Sequence, residues 1–195
     1  KELKRRYFPN DSRWTVEQGS VLDRQYLESL GLFDVVYSWG VLHHTGAMWK
    51  ALENVSARVA DDGRLFIAIY NDQKEISRVW KAVKRLYNAS ALPVRVLLLL
   101  ICGAYFEMGS AIKRLARIQN PLPFRRWADY KKGRGMSVWH DLVDWVGGYP
   151  FEVAKPEEVF NFYYSKGFIL TKLKTCAGSL GCNEFVFLKL GRVLF

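Results

Sequence analysis

Three short stretches of the chain carry residue types and spacings that could do chemistry. The first is Ser38-Trp39-Gly40-Val41-Leu42-His43-His44-Thr45, which places two of the three histidines side by side. Imidazole titrates near neutral pH, so His43 or His44 could serve as a general base or hold a substrate. Adjacent histidines rarely converge on one ion and no third ligand is near in sequence, so no metal site is read here. The second runs from Met136 to Glu152 (MSVWHDLVDWVGGYPFE). On a helix His140 and Asp144 share one face at i, i+4, a couple able to take the proton of a hydroxyl group, while Asp141 and Trp145 share another. Trp139, Tyr149 and Glu152 are then candidates for substrate contact, around the Gly147-Gly148 turn. The plainer reading packs this helix through Trp139, Val143 and Val146 and leaves its polar face in water. The third is Gly19-Ser20-Val21-Leu22-Asp23, where glycine permits close backbone approach and Asp23 can accept a ligand's hydrogen bonds or simply cap a helix.

The elements that must position these residues are legible from periodicity. Lys1–Tyr7 reads as the end of a helix with basic residues at its negative pole, broken by Pro9, Asn10 and Asp11. Trp14–Gln18 has strand composition, and Gln25–Leu30 a short helical pattern stopped by Gly31. Phe33–Ser38 is the continuous apolar run of a strand buried on both faces. Met48, Leu52, Val55 and Val59 mark a helix, Asp61-Asp62-Gly63 a turn, and Arg64–Tyr70 a second buried strand. Short links between these units predict right-handed parallel crossovers in a doubly wound α/β sheet. Towards the end, Pro156 with Glu157 and Glu158 opens a helix closed by Gly167. Phe168–Lys174 and Glu184–Leu190 then read as an antiparallel pair.

Charge is distributed unevenly along the 195 residues. Residues 74–134 hold 14 of the 29 Lys and Arg and only three acids, net +11, whereas residues 1–73 are net −1 and residues 135–195 are neutral. That concentration sets the segment apart as a unit with its own surface role. Its first helix carries an apolar stripe of Ile76, Val79, Trp80, Val83, Leu86 and Tyr87, with Lys74, Arg78, Lys81, Lys84 and Arg85 on the remaining surface. Val94–Met108 follows as an apolar helix, then a basic one to Arg117, then the breakers Asn120, Pro121 and Pro123. The apolar run Val96–Phe106 is about half of the roughly 20 residues that span a bilayer. The three cysteines, Cys102, Cys176 and Cys182, form no paired motif, which points away from a disulfide framework or a zinc site. Cys176 and Cys182 read as packing residues, and Gly178–Glu184 lacks the Lys-Ser/Thr of a phosphate loop.

The order of these motifs, from GSVLD through FDVVYSWGVLHHTGAMWKALENVSARVADDGRLFIAIYND, resembles the second half of a class I S-adenosylmethionine-dependent methyltransferase, most closely the ubiquinone-biosynthesis-like small-molecule type. The likeness covers about residues 1–72 and 150–190. It implies a Rossmann-like α/β sheet with an antiparallel final strand and a helical insertion. It implies S-adenosyl-L-methionine as cofactor, approached by Gly19, Ser20, Val21 or Asp23 near the adenine and by Ser38, Trp39 and Gly40 near the methionine portion. His43 and His140 are then the candidate bases, and His44, Trp139, Asp144, Tyr149 and Glu152 the candidate substrate contacts. The family's glycine-rich loop and ribose-binding acid have no counterpart here, so the expectation is a sheet truncated at its N-terminal side. The expected domains are a core over 1–73, a helical lid over 74–135 and the remainder of the core over 136–195. The expected activity is methyl transfer to a small, hydrophobic or lipid-linked acceptor, at oxygen, in a cytoplasmic setting with peripheral membrane contact through 94–134, where Lys113, Arg114, Arg117, Arg125 and Arg126 flank the apolar helix. An RNA methyltransferase, or a non-catalytic membrane- or RNA-binding module aided by Trp127 and Tyr130, is the alternative, with nucleic acid ranked last.

Overall fold

The computed structural model describes residues 1–120, 122, 127, 130, 132–133 and 135–191. Pro121, Pro123, Arg125 and Arg126 lie outside the described residues. Contacts gather into two units, one comprising Lys1–Ile69, Pro156–Thr175 and the stretch from Asn183, the other Tyr70–Lys155 and Cys176–Cys182. The second unit thus takes in residues 136–155 together with the basic segment.

The first unit is a mixed α/β layer. Helix α1 (Glu2–Tyr7) buries no side chain, and α2 (Arg24–Ser29) starts at Asp23, whose carboxylate accepts the Tyr26 backbone N–H at 3.1 Å. Strand β1 (Phe33–Trp39) leads through a 3-10 turn at Leu42–His44 into α3 (Met48–Ser56) and on to β2 (Val59–Tyr70). Helix α7 (Pro156–Tyr164) precedes the hairpin of β3 (Phe168–Lys174) and β4 (Cys182–Lys189). Among the described residues the strands form one sheet in the order β1-β2-β4-β3, with β1 and β2 parallel and β3 and β4 antiparallel. The last strand in sequence is antiparallel to its hairpin partner, as the resemblance implies, and lies inside the sheet. The core joins Met48, Leu52 and Val55 of α3 to Leu65, Ile67 and Ile69 of β2 and to Phe185 and Phe187 of β4. Tyr163 of α7 closes it, donating its hydroxyl to the Leu52 carbonyl at 3.1 Å, with its ring 4.7 Å from that of Phe187.

Three expectations for this unit are corrected. Trp14–Gln18 is not a strand, because strand composition forms no ladder without a paired neighbour. Strand β1 is not buried on both faces: Phe33, Val35, Tyr37 and Trp39 are 45–65% exposed. It is the edge of the sheet, and one of its faces is uncovered. The expected turn at Asp61–Gly63 lies within β2, as a bulge between the pairs Phe33–Val59 and Val35–Arg64. Asp62 takes φ 61° there, and a Cβ on Gly63 would sit 2.8 Å from the Ala60 carbonyl oxygen.

The second unit is helical: α4 (Glu75–Ala89), α5 (Leu92–Leu115) and α6 (Val138–Gly147). Its core is Trp80, Leu99, Cys102, Val146 and Phe151, with Phe106, Leu142 and Trp145 packed against it. Trp80 lies 5.4 Å from Phe106 in parallel and 4.4 Å from Trp145 edge-on, spacings at which ring quadrupoles attract. The apolar and basic segments expected as two helices form one. With its 24 residues α5 is, by length and composition, enough to cross a membrane, unlike the shorter apolar run.

Helix α4 also departs from its pattern. Lys84, expected on the polar surface, is fully buried, while Ile76, Val79 and Leu86 are more than half exposed. The Lys84 ammonium donates to the Trp145 carbonyl and lies 4.0 Å from the Trp145 ring centroid and 5.1 Å from that of Phe151. An aromatic enclosure and a carbonyl partly replace the lost water shell. Burial still pushes the Lys84 amine down to about 8, against the opposing pull of Asp144 and Cys102.

Candidate functional site

The cofactor candidates all belong to the first unit. Gly19, Ser20, Val21 and Asp23 form a tight loop whose polar groups are used locally. Ser20 Oγ accepts the Leu22 N–H at 3.2 Å, the Val21 carbonyl accepts from Asn54 Nδ2 at 2.9 Å, and Asp23 caps α2. Asn54, buried on α3, ties this loop to the body of the unit, a role with no signal in the local sequence. Replacing Asp23 with alanine should therefore cost about 1 kcal/mol of stability through the lost cap, while asparagine, an equal capping residue, should not. Denaturant unfolding of both variants checks this, and lost ligand affinity in the stable Asn variant would identify a binding role for the charge.

At the C-terminal end of β1, Ser38 is half-buried, Trp39 is 50% exposed and Gly40 takes φ +69°. Only glycine enters that backbone region freely, and nothing lies within 4 Å of where its Cβ would stand. The loop therefore turns sharply and leaves open space. His43 is fully buried, its ring centroid 4.5 Å from that of the half-buried His44. Of the pair, His44 is the one with surface to meet a ligand.

The remaining candidates belong to the second unit. Ser137 caps α6, and its hydroxyl receives the His140 backbone N–H at 3.2 Å while lying 2.6 Å from His140 Nδ1. The expected His140–Asp144 couple is thus replaced by a His140–Ser137 contact. Asp144 acts electrostatically on Lys84 instead. The capping geometry puts the serine hydroxyl within reach of the ring three residues on.

A cavity of about 590 Å³ opens in this unit, within the size range of small-molecule sites. Leu99, Gly103, Phe106 and Glu107 of α5 line it with Val138, Trp139, Asp141, Leu142 and Trp145 of α6, together with Trp127, Tyr130 and Leu180. Two carboxylates stand in an otherwise apolar and aromatic wall. Glu107 accepts the Trp127 Nε1–H at 3.1 Å, and Asp141 accepts the Tyr130 hydroxyl at 2.5 Å. Of the expected substrate contacts only Trp139 is in this wall; Asp144, Tyr149 and Glu152 are not. Glu107 and Asp141 were not among the expected site residues. The available signal was Glu107, the lone carboxylate of α5, standing directly after the apolar run.

No protein-family model and no curated protein sequence matches the chain. Among solved structures it is similar to PKMT2 from Rickettsia typhi in complex with AdoHcy, at 15% identity and TM-score 0.51, covering 96% of this chain and 42% of that one. Another structure of PKMT2 from Rickettsia typhi matches at 14% identity and TM-score 0.48, over 88% and 39%. An O-methyltransferase family protein from Burkholderia thailandensis matches at 10% identity and TM-score 0.45, over 90% and 36%. The chain spans about two fifths of the length of these structures. What it shares with the first of these is the fold, a mixed α/β sheet that partly matches the methyltransferase Rossmann-like kind.

Proposed function

We propose that the chain forms part of an S-adenosylmethionine-dependent methyltransferase acting on a small hydrophobic or lipid-linked acceptor, at oxygen. The observation that carries this reading is the sheet itself, a parallel pair beside a hairpin whose final strand lies inside it. The AdoHcy held by the Rickettsia structure supports the cofactor class. The open space at the Gly40 turn and the exposed Trp39 ring leave room for the methionine portion of such a cofactor. When bound, the cofactor supplies an electrophilic methyl group.

What the chain's own residues must do is hold the acceptor, keep water away and move one proton. The cavity's apolar wall favours a hydrophobic body, and Glu107 and Asp141 offer acceptors for its hydroxyl. His140, exposed on α6 between the cavity-lining Trp139 and Asp141 but not itself in the wall, is the proposed base. In the tautomer whose Nδ1–H donates to Ser137, the Nε2 lone pair is available for a proton. His43, being buried, is not the proposed base.

Calorimetric titration of S-adenosylmethionine, on the chain and on the product of its complete reading frame, tests the reading. Binding to either form supports it, and binding to neither overturns it. His140→Ala is expected to lower turnover of a hydroxyl acceptor roughly 100-fold. Near-normal turnover would move the base to another group, with Asp141 next to examine.

A further inference from the structure

We propose that the second unit docks on an anionic lipid surface through the exposed face of α5. Leu97, Ile101, Tyr105, Met108, Ile112 and Leu115 recur at spacings of three and four, and each is 56–60% exposed. At 1.5 Å per residue the stripe extends about 27 Å along the helix. Exposed apolar surface of this extent signals an interaction site.

The opposite face of α5, through Leu99, Cys102 and Phe106, packs into the unit's own core. A helix used on both faces in this way lies along an interface; crossing the bilayer would strip the packing from its inner face. The exposed shoulder of α4, with Ile76, Val79 and Leu86, belongs to the same unit, which buries an ammonium while presenting aliphatic side chains.

Charge decides the occupant. No charged residue interrupts Val96–Phe106, and Lys113, Arg114 and Arg117 gather at the far end of the helix. Apolar side chains entering the acyl boundary while lysines and arginines stay with phosphate headgroups is the arrangement of a peripheral membrane helix. A second copy of the chain would oppose one net +11 segment to another. An RNA would leave the apolar stripe in water.

Co-sedimentation of the chain, without cofactor, with phosphatidylcholine vesicles containing about 30 mol% phosphatidylglycerol tests the inference apart from any methyl transfer. The chain is expected to pellet with these vesicles, and at least tenfold more weakly with phosphatidylcholine alone or in high salt. The triple change Leu97→Ser, Ile101→Ser and Met108→Ser is expected to lower partitioning at least tenfold with circular dichroism unchanged, since all three side chains are exposed. Lys113→Glu with Arg117→Glu gives an independent reading, a tenfold loss specific to anionic vesicles. A chain that stays in the supernatant, or variants that bind like the parent, would overturn the inference. So would a dimer dissolved by the triple change, or retention on RNA without vesicle binding.

Discussion

Replacing Trp80 with alanine is expected to lower the stability of the helical unit by about 3–5 kcal/mol, the largest effect of any single truncation in that unit. Trp80 is 7% exposed, and its ring meets those of Tyr105, Phe106 and Trp145 at centroid distances of 4.4–5.9 Å. Removing it takes away the transfer energy of the largest side-chain type and leaves a void between α4, α5 and α6. Phe106 and Trp145 also line the cavity, so the loss reaches the proposed acceptor site. The isolated chain should unfold at lower guanidinium concentration by far-UV circular dichroism, and binding of apolar ligands should weaken with it. Trp80→Phe, which keeps an aromatic ring, should cost much less. Equal losses for the two substitutions would mean that indole-specific contacts, rather than ring volume, hold the helices together.

The second large effect is a pH dependence centred on Lys84. Its amine is held down to about 8 by burial, whereas in the unfolded chain it returns to about 10.5. Asp144 on α6 and Cys102 on α5 act on it in the opposite direction, towards the charged form, and do not offset the desolvation. Between these two values the unfolded chain binds more protons than the folded one, so folding stability rises with pH in that window. Below about pH 8 both states carry the charge and the full cost of burying it remains. At 1.36 kcal/mol per unit, the Lys84 contribution amounts to about 2–3 kcal/mol between pH 7 and pH 10, read as the difference between the wild-type chain and Lys84→Met. Lys84→Met, apolar and of similar length, should lose this gain. Urea unfolding at several pH values up to 10 measures the difference. Cys102, whose thiol burial pushes up, and Tyr163, whose phenol burial pushes well above its usual range, act in the opposite sense as pH rises, and the comparison with Lys84→Met sets them aside. The same slope in both proteins would mean that the ammonium is solvated.

The buried lysine also shows why the cavity was not legible in the sequence. Periodicity assigns a helix face by residue type, and by type Lys84 belongs outside with Arg85 while Ile76 and Val79 belong inside. The packing of α4 on α5 and α6 rotates that assignment, because the aromatic cluster of Trp80, Phe106 and Trp145 takes the inner position. Once that cluster forms, the side of α5 bearing Gly103 and Glu107 is left facing Trp139 and Asp141 of α6, and the cavity between them follows. None of these pairs is close in sequence. His140 illustrates the same limit at short range: i, i+4 spacing allows a bond to Asp144, yet the capping hydroxyl of Ser137 is nearer and takes the ring.

By itself, the sequence determined the local elements and the class of the fold. Pro156 with two glutamates and Gly167 bound α7, Asp23 caps α2, and Phe168–Lys174 is a strand at the residues its composition marks. These are signals read within one or two turns of chain, where backbone hydrogen bonding and side-chain sterics act directly. The tertiary structure alone decided that Trp14–Gln18 forms no strand, that one face of β1 is uncovered, that Lys84 is buried and that Glu107 and Asp141 share a cavity. Each of those depends on a partner distant in sequence, and burial is a property of the pair, not of the residue.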